Sequence, residues 1–140
     1  MSKQRGIPRI KAYMSATPHT IGADQTMDRA HALMHEHRLR HLPVLVAGRL
    51  VGVVSDRDLH MVETFPDVDP QTVRVEEAMS QDIYTVTPDT PLDEVADAMA
   101  THKYGSTLVV ERGQVVGILT TVDVCRALAD LLRARAAPTE

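Results

Sequence analysis

The sequence predicts a mixed α+β (α/β) fold made of two β-α-β-β-α repeats packed face to face as one pseudo-twofold domain. Three observations carry that expectation. Displacing the 140-residue chain by 65 positions lays residues 14–60 on residues 79–125 without a gap, with 12 identities in 47 positions. Hydrophobic residues make up 44% of the chain, enough for a core, but a single copy is too short to bury one alone. Each copy also runs through the same succession of strand-like and helix-like periods.

The identities pair Met14 and Ser15 with Met79 and Ser80, Thr20 with Thr85, Asp24 with Asp89, Asp28 with Asp93 and Met34 with Met99. They continue through His37 and His102, Val44 and Val109, Gly48 and Gly113, Val51-Gly52 and Val116-Gly117, and end at Asp58 and Asp123. A short strand opens each copy, at residues 20–21 and 83–86. A helix follows; in the second copy Leu92, Val95, Ala96 and Met99 have the spacing of one helical face, and Pro91 suits its first turn. Two strands come next, residues 42–47 and 50–54 joined across Gly48, then 107–111 and 114–119 joined across Arg112 and Gly113, the pattern of a hairpin. A second helix begins near Ser55 in one copy and Thr120 in the other. The expected organisation is an N-terminal arm at 1–9, repeat one at 10–63, a linker at 64–73 carrying Pro66 and Pro70, repeat two at 74–132 and a tail at 133–140.

Composition narrows the function classes. The stretch from Leu42 to Val54 is broken by Pro43, Gly48 and Arg49 and falls short of the ~20 apolar residues of a membrane helix. A formal net charge of −4 disfavours a nucleic-acid surface. Lys3, Arg5, Arg9 and Lys11 precede the first acidic residue, Asp24, and read as a solvated arm. Cys125 is the only cysteine, so there is no internal disulfide framework, and the polar opening lacks the apolar block of a signal peptide; a cytoplasmic setting is expected.

The repeated corner "GVVSDRD" (52–58) and "GILTTVD" (117–123) carries the chemistry. Ser55-x-x-Asp58 and Thr120-x-x-Asp123 have the spacing of a capping box closing the amino end of a helix. The same geometry serves a ligand. A helix start presents unpaired N–H groups and the positive dipole end, a hydroxyl there donates to phosphate, and a carboxylate one turn in accepts from paired sugar hydroxyls. Gly52 and Gly117 mark either a close approach to the strand backbone or relief of crowding. The sequence leaves both pairs of readings open.

Tandem strand–helix–strand–strand–helix units, each ending in Gly-apolar-apolar-Ser/Thr-x-x-Asp, resemble a pair of cystathionine-β-synthase (CBS) domains, a Bateman module. The stretch "RHLPVLVAGRLVGVVSDRDL", from Arg40 to Leu59, carries the resemblance most specifically, and the likeness extends over residues 10–130. It implies an adenosine ligand (AMP, ADP, ATP or S-adenosylmethionine) held in clefts between the repeats, no obligatory cofactor, and a disc-like homodimer. By the same resemblance Asp58 and Asp123 accept from ribose hydroxyls, with Ser55 and Thr120 near ribose or phosphate. The cleft of Asp123 and Thr120 would borrow Thr20, Leu39, Arg40 and His41; that of Asp58 and Ser55 would borrow Thr85, Tyr104, Gly105 and Ser106. Arg40 and His41 offer positive charge where Gly105 and Ser106 do not, so the Asp123 cleft is expected to prefer the charged nucleotide. Repeat two departs from the pattern in having Thr121 and Val122 where repeat one has Asp56 and Arg57.

Other candidates are weaker. His31 and His35, in "HALMHEHRLRH", are one helical turn apart, but no further ligand at metal spacing completes the set, and no metal site is expected. His37 and His102 read as helix-end residues meeting a carbonyl or the dipole. Cys125 reads as a small packed apolar residue, and Met34, Met61, Met79 and Met99 as core or interface filler. No arrangement suited to catalysis stands out, so a non-enzymatic regulatory module is expected. The closing helix, "VCRALADLL" from Val124, has an apolar face wider than one domain covers and predicts a homodimer. The competing reading is a ligand-free dimer serving as a protein-interaction platform, its repeated corner only a helix cap. The regulated protein target is not written in the sequence.

Overall fold

A computed structural model describes residues 6–16 and 18–136. Strands and helices follow in the order β1 (Ser15–Ala16), β2 (Ile21–Gly22), α1 (Met27–His37), β3 (His41–Val46), β4 (Arg49–Ser55), α2 (Asp56–Glu63), β5 (Thr85–Val86), α3 (Leu92–His102), β6 (Ser106–Glu111), β7 (Gln114–Thr120) and α4 (Thr121–Ala136). The fold is mixed α+β, and the duplication is reproduced in the first helix and the hairpin of each copy. Helices α1 and α3, strands β3 and β6, and strands β4 and β7 all begin and end 65 residues apart.

Local chemistry explains the boundaries. Ala47 and Gly48 (φ 50° and 79°) and Arg112 and Gly113 (φ 54° and 78°) are both left-handed, the two-residue hairpin turn whose twist matches its strands. Each strand therefore stops at the turn, so Ala47, expected in the strand, belongs to the loop. Arg38 and Lys103 (φ 57° and 59°) end α1 and α3 in the left-handed conformation that closes helix carboxyl ends. The Thr26 side chain accepts from the Arg29 N–H at 3.2 Å to start α1. Pro91, expected in the first turn of α3, stands just before it as an extended cap residue.

The chain forms two compact units, one of residues 18–83 with 112–115, the other of residues 6–16, 84–111 and 116–136. The first carries the sheet β2-β3-β4, in which β2 runs parallel to β3 and β3 antiparallel to β4. Met27, Ala30 and Met34 on α1 pack there with Ile21, Leu42, Val44, Val54, Leu59 and Val75. The second carries the sheet β1-β7-β6-β5, with Leu92, Val95 and Met99 on α3 packing with Ile10, Val109, Leu119 and Ala127.

Each unit is completed by the stretch of chain that opens the other repeat. In the first, the Met27 N–H donates to Val73 O (2.9 Å), the Val75 N–H to Gln25 O (2.8 Å), and Val53 and Ser80 exchange backbone bonds of 3.0 and 2.8 Å; Val75 is fully buried. In the second, the Leu92 N–H donates to Pro8 O (2.9 Å), the Ile10 N–H to Thr90 O (2.8 Å), and β1 pairs antiparallel with β7; Ile10 is fully buried. The sequence repeats and the compact units are thus different sets of residues.

That packing settles the role of the repeated glycines. A Cβ on Gly52 would stand 2.7 Å from Ser80 O, and one on Gly117 would collide with the Met14 side chain. The close approach is made by the protein's own crossing segment. The basic arm is likewise engaged where it is described. Lys11 Nζ lies 2.9 Å from Asp89 Oδ1 and Arg9 Nη1 donates to Asp89 O at 2.9 Å, and the ammonium holds the Asp89 carboxyl below the usual carboxylate range.

Candidate functional site

The repeated corner sits where β4 ends in α2 and β7 ends in α4. In the first unit the capping box is complete. Ser55 Oγ accepts from the Asp58 N–H at 3.0 Å and Asp58 Oδ2 accepts from the Ser55 N–H at 2.9 Å. In the second unit only half of it forms. Asp123 Oδ2 accepts from the Thr120 N–H at 2.9 Å and from the Thr120 hydroxyl at 3.2 Å. Thr120 Oγ1 is therefore a donor to the carboxylate, whereas Ser55 Oγ is an acceptor from the helix. In both corners the cap engages a single carboxylate oxygen. An ionised carboxylate has about four acceptor positions over two oxygens, so capping a helix does not exhaust Asp58 or Asp123, and both are only half-buried.

The other expected residues fall on the approaches to these corners. Thr20 is half-buried just before β2; Leu39 and exposed Arg40 form the turn between α1 and β3, where the Leu39 N–H donates to Met34 O (2.8 Å) and the Asp56 N–H to Arg40 O (2.9 Å). His41 opens β3 and lies opposite Ser55 in the hairpin register. The first unit thus places Arg40, His41, Ser55 and Asp58 at one end of its sheet. A surface depression beside them is lined by Met34, His35, Glu36, Arg38, Leu39 and Arg40. In the second unit Thr85 lies exposed in β5, Tyr104 is half-buried with its N–H on Met99 O (3.1 Å), Gly105 is exposed and Ser106 begins β6 with its side chain buried.

The sequence reading missed the aromatic contacts here. Tyr84 and Tyr104 stack with centroids 5.4 Å apart and planes 7° from parallel, and His102 adds a third ring 5.4 Å from Tyr104. At the equivalent place in the first unit His19 stacks on His37 at 3.7 Å and 15°. His37 and His102 do end their helices, but each meets a ring, not merely a carbonyl. The signal was available: positions 19 and 84 are both aromatic and both precede a matched threonine. Burial, then the Glu94 carboxylate and Tyr104, push the Tyr84 phenol upward.

Other side chains also depart from expectation. His31 is bound to Glu63, Nε2 to Oε2 at 2.5 Å, with the His60 ring 5.5 Å away; among the described residues no group of three His, Cys, Asp or Glu could hold a metal ion. Cys125 is exposed and does not pack as a core residue. Met34 and Met99 are core and Met79 lies beneath Gly52, but Met61 is exposed. No described helix is long and apolar enough to cross a membrane.

Comparison with known families decides the class. The CBS domain profile matches twice, over residues 10–62 and 75–130. The chain belongs to the CBS-domain family. This CBS pair is 30% identical over 115 residues to the CBS domain-containing protein YhcV of Bacillus subtilis, covering 82% of this chain and 81% of that one. It is also 30% identical over 121 residues to an inosine-5′-monophosphate dehydrogenase of Korarchaeum cryptofilum, covering 86% of this chain but 24% of the enzyme. The chain thus spans about a quarter of that dehydrogenase, meeting it through its CBS region. Among solved structures, the CBS domain pair of MJ0100 in complex with 5′-methylthioadenosine and S-adenosyl-L-methionine superposes with a TM-score of 0.79 at 27% identity, covering 89% of this chain and 98% of that one. CBSX2 in complex with AMP gives a TM-score of 0.75 at 25% identity, covering 88% and 97%. This chain is therefore a CBS pair.

Proposed function

We propose that this CBS pair is a non-catalytic sensor of adenosine ligands, taking AMP, ADP, ATP or S-adenosylmethionine, with no obligatory cofactor. The observation that carries the proposal is the duplicated corner, in which Asp58 and Asp123 each cap a helix with one oxygen and keep acceptor capacity for a ribose. The relatives solved with AMP and with S-adenosylmethionine support the ligand class. The grouping of Asp123 and Thr120 with Thr20, Leu39, Arg40 and His41, and of Asp58 and Ser55 with Thr85, Tyr104, Gly105 and Ser106, is kept as part of this proposal. The cationic Arg40 favours Asp123 as the partner of the more highly charged nucleotide.

Calorimetry and thermal unfolding with AMP, ADP, ATP and S-adenosylmethionine test the reading. A ligand of the folded state at a hundredfold excess over Kd stabilises by about 2.7 kcal/mol. Asp123→Ala is expected to weaken ATP binding more than Asp58→Ala. Absence of any shift with all four ligands would leave a ligand-free interaction platform, the reading favoured by acids that do nothing but cap.

We further infer a homodimer formed through the repeat-end helices, in a cytoplasmic setting, acting on a separate protein target. In α4 only Ala127 is buried, while Val122, Leu128, Leu131 and Leu132 are 62, 57, 41 and 56% exposed, and Met61 and Phe65 add exposed apolar surface around α2. A stripe of that kind supports burial against a second copy. Mass photometry at micromolar concentration is expected to give twice the monomer mass of 15.4 kDa; a monomer throughout would refute it.

A further inference from the structure

The two repeat-end helices correspond in the duplication but differ in what they expose. On α2 the side turned away from buried Leu59 carries Arg57, His60, Met61 and Thr64, with Phe65 just past the helix end, all of them exposed. On α4 the side turned away from buried Ala127 carries Val122, Cys125, Arg126, Leu132 and Arg133, all exposed, and half-buried Ala129. The 65-residue shift sets His60 on Cys125 and Thr64 on Ala129, and in both pairs the α4 residue is the smaller. Helical spacing therefore makes α2 a bulky ridge and gives α4 a shallow line through Cys125 and Ala129, with Val122 and Leu132 at its ends.

Charge divides the helices as well. Residues 56–69 hold Asp56, Asp58, Glu63, Asp67 and Asp69 against Arg57 alone, whereas residues 121–136 hold Arg126, Arg133 and Arg135 against Asp123 and Asp130. Asp123 is turned back onto Thr120, and Asp130 lies against the Tyr13 hydroxyl. Asp58 likewise caps α2, but Asp56, Asp67 and Asp69 keep the surroundings of Met61 and Phe65 acidic. The outer face of α4 is cationic.

We propose that α2 of one copy packs against α4 of a second copy, so that a twofold dimer makes the α2–α4 contact twice. The inference rests on the homodimer reading and adds which helix meets which. Pairing α4 with α4 would set the arginines against their own copies and face small residues with small ones; pairing α2 with α2 would set acids against acids and ridge against ridge. The crossed pairing seats Met61 and Phe65 over the line of Cys125 and Ala129. It also brings Arg126 and Arg133 to the acidic flank of α2, the complementarity that fixes orientation in an interface.

Cys125, exposed and the only cysteine, is a built-in probe of this arrangement. A disulfide closes only when the two Cα atoms come within about 7 Å. Among His60→Cys, Met61→Cys and Thr64→Cys, each made singly, at least one is expected to give a covalent dimer on a non-reducing gel after oxidation, and to lose it when Cys125→Ser is added; the parent is expected not to cross-link. Cross-linking of the parent through Cys125, cross-linking of an α2 cysteine without Cys125, or no cross-link in any variant of a chain that is dimeric by mass photometry overturns the crossed pairing and leaves the dimer standing. A monomeric parent overturns both. Charge gives a second readout: Arg126→Ala combined with Arg133→Ala is expected to weaken dimerisation about two- to fivefold, and by less at high salt. Unchanged or tighter dimerisation, the result of relieving repulsion between two α4 helices, overturns the pairing.

Discussion

Thr107 shows how far a single side chain departs from the pattern around it. It lies fully buried in β6, where repeat one has Leu42, and its Oγ1 finds no hydrogen-bond partner among the described residues. A buried hydroxyl without a partner costs its desolvation. Thr107→Val keeps the shape and removes the orphan, and is expected to raise unfolding stability by about 1 kcal/mol, read as a higher urea midpoint with unchanged slope; a lower midpoint would mean that the hydroxyl is satisfied. The aspartates make the opposite case. Asp58 and Asp123 were legible as chemistry-bearing residues from spacing alone, but that spacing is common to a cap and a ligand grip. Under the proposed function the two roles draw on different lone pairs of one carboxylate.

At the level of elements, the two helix starts are alike in sequence and unlike in bonding. Ser55 Oγ accepts an α2 backbone N–H, whereas Thr120 Oγ1 donates to Asp123 and takes no N–H of α4. Ser55→Ala is therefore expected to cost about 1 kcal/mol, the usual loss of an N-cap, and Thr120→Ala distinctly less, each measured by denaturant unfolding without ligand. Equal costs would mean that both hydroxyls cap their helices. Helix and hairpin positions were well marked in the sequence because period and turn chemistry are local. Ends were less so: β3 begins at His41 and stops at Val46, one residue earlier at each end than hydrophobicity suggests, since the left-handed pair Ala47–Gly48 fixes the turn.

At the scale of the whole molecule, the compact units are assembled from non-contiguous pieces of chain. Ile10 and Val75 are 65 residues apart, each fully buried, and each completes the core of the unit that does not contain the helix and hairpin following it. Residues so near the start of a sequence are ordinarily tolerant of change. Ile10→Ala is nevertheless expected to destabilise by roughly 2–5 kcal/mol, the range for truncating a buried large aliphatic, with a matching fall in the urea midpoint; an effect below about 0.5 kcal/mol would show that the segment contributes little to that core. The same segment exchange accounts for two of the internal identities. Gly52 and Gly117 were kept as glycine in both copies because Ser80 and Met14 lie against their backbones.

Duplication, the order of strands and helices, the hairpin turns and the paired Ser/Thr-x-x-Asp corners were all determined by the sequence by itself, because each depends on residues a few positions apart whose spacing reads out directly as backbone geometry. Tertiary structure alone decided that segments 73–80 and 8–16 change places, that rings at 84, 102 and 104 meet, and that His31 answers to Glu63. Those contacts join residues far apart along the chain or set by packing, and neither propensity nor periodicity carries information about which distant surface a side chain will find.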